Sequence, residues 1–64
     1  MAKFIEINGS TYSLKYYLNP DHIESIWWEQ DGGTRIKLTS GSILYCKETP
    51  EELLLLISEA RRAR

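Results

Sequence analysis

The stretch "IWWEQDGGTRIKL", residues 26–38, decides the fold, because it reads as two β-strands around a turn. Asp31-Gly32-Gly33 is the turn signal: glycine takes positive φ without steric cost, and aspartate caps its own backbone. Beyond the turn, Thr34, Ile36 and Leu38 alternate with Arg35 and Lys37, which is the period of a half-buried strand. Before it stand two adjacent tryptophans. Neighbouring residues on a strand face opposite sides, so at most one of Trp27 and Trp28 points into a given core. One ring is expected to fill the core and the other, Trp28 by parity with Ile23, Ser25 and Trp27, is expected to make a contact. The spacing of Ile23 and Ile26 fits a bulge or a helical turn at the start of this strand, which runs from about residue 23 to 30.

Working outward, "KFIEIN" sets Ile5 and Ile7 on one face and Glu6 on the other, a first strand. Asn8-Gly9 predicts a tight type I′ hairpin turn, since both central residues of that turn need positive φ. "STYSLKYYL" then alternates Tyr12, Leu14, Tyr16 and Leu18 with Thr11, Ser13, Lys15 and Tyr17, a second strand. Pro20 in "NPDH" ends it. Downstream, Ser40-Gly41 turns the chain into "SILYCKE", in which Ile43, Tyr45 and Lys47 oppose Leu44 and Cys46. The strands, within about residues 3–48, predict a twisted antiparallel meander of four to five strands.

"TPEELLLLISEARRAR" predicts a helix over about 50–63. Thr49 is its N-cap, Pro50 suits the first helical position, and Glu52 completes a capping box. Leu53, Leu56, Ile57 and Ala60 form one apolar stripe for the sheet. Arg61, Arg62 and Arg64 suit the negative end of the helix dipole. The fold class is therefore α+β, one domain over residues 1–64.

A chain of 64 residues buries a modest core, and one cysteine, Cys46, permits no intrachain disulfide. With a single histidine, His22, no cluster has zinc-ligand spacing. No signal peptide and no stretch of roughly 18 apolar residues is present, and the lack of disulfide spacing fits a cytoplasmic setting. A formal charge of −1 gives no global field for long nucleic acid. Apolar groups are nevertheless in surplus. Leu54 and Leu55 fall outside the helix stripe, and Trp27-Trp28 and Tyr16-Tyr17 put rings on both strand faces. That surplus predicts a homo-oligomer, dimer or tetramer, with Leu54, Leu55 and Trp28 at the interface.

Catalytic constellations are missing from the sequence: no Ser-His-Asp spacing, no Gly-rich phosphate loop between strand and helix, no His-x-x-x-His pair. His22 reads as a turn residue, Glu51 and Glu52 as complements to the helix dipole, and Cys46 as a small buried hydrophobe. The expectation is a protein that is not an enzyme and needs no cofactor or metal. What remains is aromatic and basic. Trp27, Trp28, Tyr16, Tyr17, Arg35 and Lys37 offer flat rings for stacking and cations for an anion, so they form the predicted ligand-binding set. Tyr12, Tyr45, Lys15 and Lys47 lie beside them in sequence.

"INGSTYSL", "LNPDHIESI", "TRIKLTSG" and "YCKETPEEL" together resemble the short FlbD-like proteins, also called SwrD, that accompany flagellar and swarming genes. The shared pattern is a strand ending in Asn-Gly, a segment near Asn-x-Asp-x-Ile-Glu-x-Ile, a Thr-x-Ile-x-Leu-x-x-Gly hairpin and a Lys-Glu-Ser/Thr-x-Glu-Glu helix entry, covering about Ile5 to Leu53. The inserted "KYY" before Leu18 and the Trp27-Trp28 pair depart from it. The resemblance implies a non-catalytic accessory protein and supplies no catalytic residues. Small phage-encoded proteins that sequester cyclic nucleotide signals are similar in size and oligomeric β-rich build. Two functions are thus expected: first, capture of a small anionic aromatic ligand such as a nucleotide signal, of the phage anti-defence type; second, an FlbD-like motility accessory that docks a partner protein. Binding of single-stranded nucleic acid is a weaker third.

Overall fold

The computed structural model of the chain describes residues 3–11, 14–30 and 32–62. It is an α+β fold of five strands and one C-terminal helix: β1 (Ile5–Asn8), β2 (Lys15–Leu18), β3 (Ile23–Glu29), β4 (Gly33–Leu38), β5 (Ile43–Cys46) and α1 (Pro50–Arg62), with a 3₁₀ turn at Pro20–His22. Tyr12 and Ser13 of the expected second strand, Asp31 of the turn and Arg64 of the helix end lie outside the described residues.

The strands divide between two antiparallel sheets, β1-β2 and β3-β4-β5, rather than forming one continuous meander. The cause is the behaviour of Asn8-Gly9, which does not make the predicted two-residue turn. Gly9 continues the line of β1 and bridges to Cys46, with Ser10 donating to the Tyr45 carbonyl at 3.0 Å and Lys47 donating to the Asn8 carbonyl at 2.9 Å. The first sheet therefore joins the second at the end of β5, and the chain turns only after residue 9. Gly9 also donates to the Leu14 carbonyl at 2.8 Å. Gly9 is buried, and a Cβ there would meet Tyr16 Cε2 at 3.2 Å and Leu14 Cβ at 3.3 Å. The glycine serves close packing, whereas positive φ is used at Gly32, Gly33 and Gly41, in the two hairpin turns of the larger sheet.

A carboxylate fastens this junction. The Asn8 backbone N–H lies between the two oxygens of Glu48, at 3.0 Å and 3.1 Å, and Asn8 Nδ2 donates to Glu48 Oε2 at 2.8 Å. Glu48 thereby ties the end of β1 to the segment that enters the helix. One residue later Thr49 caps α1: its N–H donates to Glu52 Oε1 at 2.8 Å, and Glu52 N–H donates to Thr49 Oγ1 at 3.1 Å. This is the predicted capping box, with Pro50 at the first helical position.

The core is formed by Ile5, Ile7, Ile36, Cys46, Leu53 and Ala60, with Tyr16, Leu18, Ile23, Ile26, Leu38, Leu44, Leu56 and Ile57 packed around it. The helix stripe falls where the periodicity predicts, while Leu54 and Leu55 remain exposed. Neither tryptophan belongs to this core, contrary to the expectation that one would. The register of β3 shifts between Ile23 and Ser25, so Ile26 stands opposite Ile36, Trp27 opposite Arg35 and Trp28 opposite Thr34. Residues directly opposite share a face. The shift therefore puts Trp27 on the sheet face away from Ile36, and Trp28 on the Ile36 side but beyond the cover of the helix, 56% exposed.

Candidate functional site

The three-stranded sheet has one face covered by the core and one that, among the described residues, carries no second layer. On the open face the register assembles two cross-strand rows. The first runs from Trp27 on β3 through Arg35 on β4 to Tyr45 on β5, and the second from Ser25 through Lys37 to Ile43. Alternation of β4 produces this arrangement, because Thr34 and Ile36 are buried and send Arg35 and Lys37 the other way. The rows interlock. The Arg35 guanidinium lies 4.4 Å from the Tyr45 ring centroid and donates to the Gly33 carbonyl at 3.2 Å. Trp27 Nε1 donates to Glu29 Oε2 at 2.6 Å, which fixes the indole on its own strand. Lys37 pairs with Glu24 at 3.6 Å. A cation over a tyrosine face contributes about 0.5–1 kcal/mol at such an exposed site and, more usefully, holds a flat surface in one orientation.

The predicted ligand-binding residues do not gather in one place. Trp27, Arg35 and Lys37 share the open face, and Tyr45, noted in the sequence only as a neighbour, completes it. Tyr17 lies on the outer side of the smaller sheet, opposite Glu6, whose hydrogen bond and charge hold the Lys15 ammonium above its ordinary range. Tyr16 points the other way and packs against the core. Trp28 lies on the opposite sheet face from Trp27 and Arg35 and lines a pocket of about 370 Å³ with Thr49, Pro50 and Glu51, at the start of α1. A second groove, of about 310 Å³, follows β3 and α1 and is lined by Ile23, Ile26, Leu54, Ile57 and Arg61, among others. Neither concavity includes Arg35, Lys37, Tyr16 or Tyr17. What the sequence could not supply was Tyr45, because its pairing with Arg35 depends on the register between β4 and β5.

The groups that could carry chemistry are otherwise placed. Burial, with the Glu48 charge adding to it, pushes the Cys46 thiol up from 9.0 to about 11. A thiol so raised holds almost no thiolate near neutral pH and is a poor nucleophile. His22 is exposed, its Nδ1 3.4 Å from Thr39 Oγ1. Among the described residues, no three His, Cys, Asp or Glu side chains come together as a metal site. No helix among them is long and apolar enough to cross a membrane.

Against this geometry the comparison with known families is direct: residues 1–63 match FlbD, the flagellar and swarming motility proteins. The chain belongs to the FlbD family. The match covers all five strands and the helix as far as its last described residue. It therefore includes both the "KYY" segment and the tryptophan pair that depart from the pattern of short motifs. No curated protein and no solved structure matches the chain. FlbD membership supports the second of the two expected functions, the motility accessory, above the capture of a nucleotide signal.

Proposed function

We propose that this FlbD protein is a non-catalytic accessory of flagellar or swarming motility that works by docking a partner protein on the open face of its three-stranded sheet. The observation that carries the reading is the row Trp27–Arg35–Tyr45 with Lys37 and Ile43 beside it. Aromatic residues and arginine are the groups most enriched where protein interfaces concentrate their binding energy, and here they form a flat platform rather than a cavity. A flat face suits a protein surface. A nucleotide is better held in a concave site of several hundred Å³ with converging polar groups, and the two grooves described above, among the described residues, are lined by neither Arg35 nor Lys37.

The test is a Tyr45→Ala, Lys37→Glu double variant, expressed in host cells from which the wild-type copy has been removed. Tyr45 is half exposed and Lys37 partly so, and the fold should survive their change. Swarm expansion should fall towards that of the deletion while the purified variant keeps its melting temperature within a few degrees. Wild-type swarming by the folded double variant would refute the assignment of this face. Calorimetry of the wild type with mono-, di- and cyclic nucleotides should show no binding, and a saturable heat would return the capture reading to first place.

A further inference from the structure

We infer that a second copy of this chain adds to the edge of β3, placing its Trp28 in the groove between β3 and α1. This inference does not rest on the docking reading: it uses the edge of β3 and centres on Trp28 and the groove beside α1.

Three observations meet at this edge. First, among the described residues β3 is the outer strand of its sheet, paired with β4 on one side only, so alternate residues direct their N–H and C=O groups outward. The usual protections are confined to its ends. The register shift lies at Ile23–Ser25 and the acidic residues are Glu24 and Glu29, leaving the centre, Ser25 to Trp28, uncharged.

Second, the helix side of this edge is a trough with unlike ends. At one end the groove of about 310 Å³ is lined by Ile23, Ile26, Leu54 and Ile57, with Arg61 at its rim. At the other stands Trp28, 56% exposed beside Thr49, Pro50 and Glu51. Pro50 belongs to both linings, so the two regions are continuous. A twofold axis perpendicular to the sheet reverses the strand and brings the empty end of one copy against the filled end of the other. The patch is thus complementary to itself, as an isologous interface requires.

Third, the sequence of β3 suits that pairing. With Ile26 opposite Ile26 of the second copy, Ser25 faces Trp27 of that copy, and its Trp28 stands over the bulged Glu24–Ser25 segment, between Ile23 and Ile26. No two like charges face each other across the centre. Leu54, 60% exposed on the groove-side flank of α1, would be covered by the incoming indole, whose face also suits the Arg61 guanidinium. Leu55 points away from Leu53 and takes no part.

The experiment is sedimentation of the full chain over a concentration series, with three variants. The wild type should be dimeric at micromolar concentration. Trp28→Ser and Leu54→Glu should each weaken self-association by about thirtyfold or more, the scale of losing a central aromatic or burying a charge in its place. Tyr45→Ala, on the far face, should leave the dimer unchanged. In a Trp27→Phe background, the fluorescence of Trp28 should shift to shorter wavelength as concentration rises. A wild type that stays monomeric through the series overturns the inference, as does a dimer that Leu54→Glu does not weaken. Leu54 is exposed in the protomer, so its variant decides the matter even if Trp28→Ser does not fold. Loss of the dimer by Tyr45→Ala, with Trp28→Ser silent, would place the seam on the other face and refute this one.

Discussion

Replacing Glu48 by alanine should cost this protein a large share of its stability. The carboxylate holds one backbone N–H between its two oxygens, at 3.0 Å and 3.1 Å, and one side-chain amide at 2.8 Å, all from Asn8. A hydrogen bond to a charged group contributes about 1.5–3 kcal/mol net. The clasp is solvent-accessible, which places each of its two donors at or below the lower end of that range, so the loss should be about 2–3 kcal/mol. A chain of this length has about 3–10 kcal/mol in all, and each kcal/mol moves its melting temperature by about 4–8 °C. Urea denaturation of wild type, Glu48→Ala and Glu48→Gln measures the effect. The amide keeps one acceptor oxygen and loses the charge, so Glu48→Gln should fall between the other two. A cycle with Asn8→Ala then isolates the side-chain bond from the backbone one, because only the former is lost when Asn8 is truncated. Should Glu48→Ala unfold within about 0.5 kcal/mol of wild type, the sheets are held together by the shared core and the strand bridge at Gly9 and Cys46, and the clasp is incidental.

Thr49→Ala removes the acceptor for the Glu52 N–H and should cost about 0.5–2 kcal/mol in the same assay; an unchanged midpoint would mean that Pro50 and the first-turn acids suffice to start the helix. Alkaline pH should weaken the fold through Cys46. Its thiol stays protonated in the folded chain to about pH 11, whereas the unfolded thiol ionises near 9.0, so its contribution is intact below 9 and disappears as pH rises to about 11. The wild-type minus Cys46→Ala difference in urea midpoint, followed across that range, should decline with pH, and a flat difference would mean that the thiol is not held protonated.

Legibility in the sequence followed the range of the interactions. The helix was readable to its first residue because Thr49, Pro50 and Glu52 interact over three positions, and its buried stripe followed from periodicity. The hairpin of β3 and β4 was likewise local, with Gly32 at φ 101° and the Gly32 N–H donating to the Glu29 carbonyl at 3.0 Å. Asn8-Gly9 misled for the complementary reason. The dipeptide carries the strongest short hairpin signal, but here its use is set by partners about forty residues away: Glu48 for the asparagine and Cys46 for the glycine. No local pattern announces such a pairing. Both ends were in fact visible in the family-like motifs, as the Asn-Gly that closes the first strand and the Lys-Glu that precedes the helix, without any indication that they meet.

The tryptophans show why the candidate site was harder to read than the fold. Strand parity is counted from an anchor, and a single extra residue inverts it. Counting from Ile23 assigns Trp27 to the core, while counting back from the Asp31 turn, on the uninterrupted side of the bulge, assigns it to the open face with Arg35. The second count matches the register. Even the corrected parity does not make Trp28 a core residue, because one helix of 13 residues covers the sheet and its N-terminus begins beside that ring. Trp28 is on the Ile36 side of the sheet, flanked by Thr49, Pro50 and Glu51 but still 56% exposed. Trp27 is on the uncovered side, yet half buried and hydrogen-bonded to Glu29. The adjacent rings therefore lie on two different surfaces. A change at Trp27 should be felt on the face that carries Arg35 and Tyr45, and a change at Trp28 along the β3 edge, which is why the same dipeptide can belong to both a docking platform and a seam between copies.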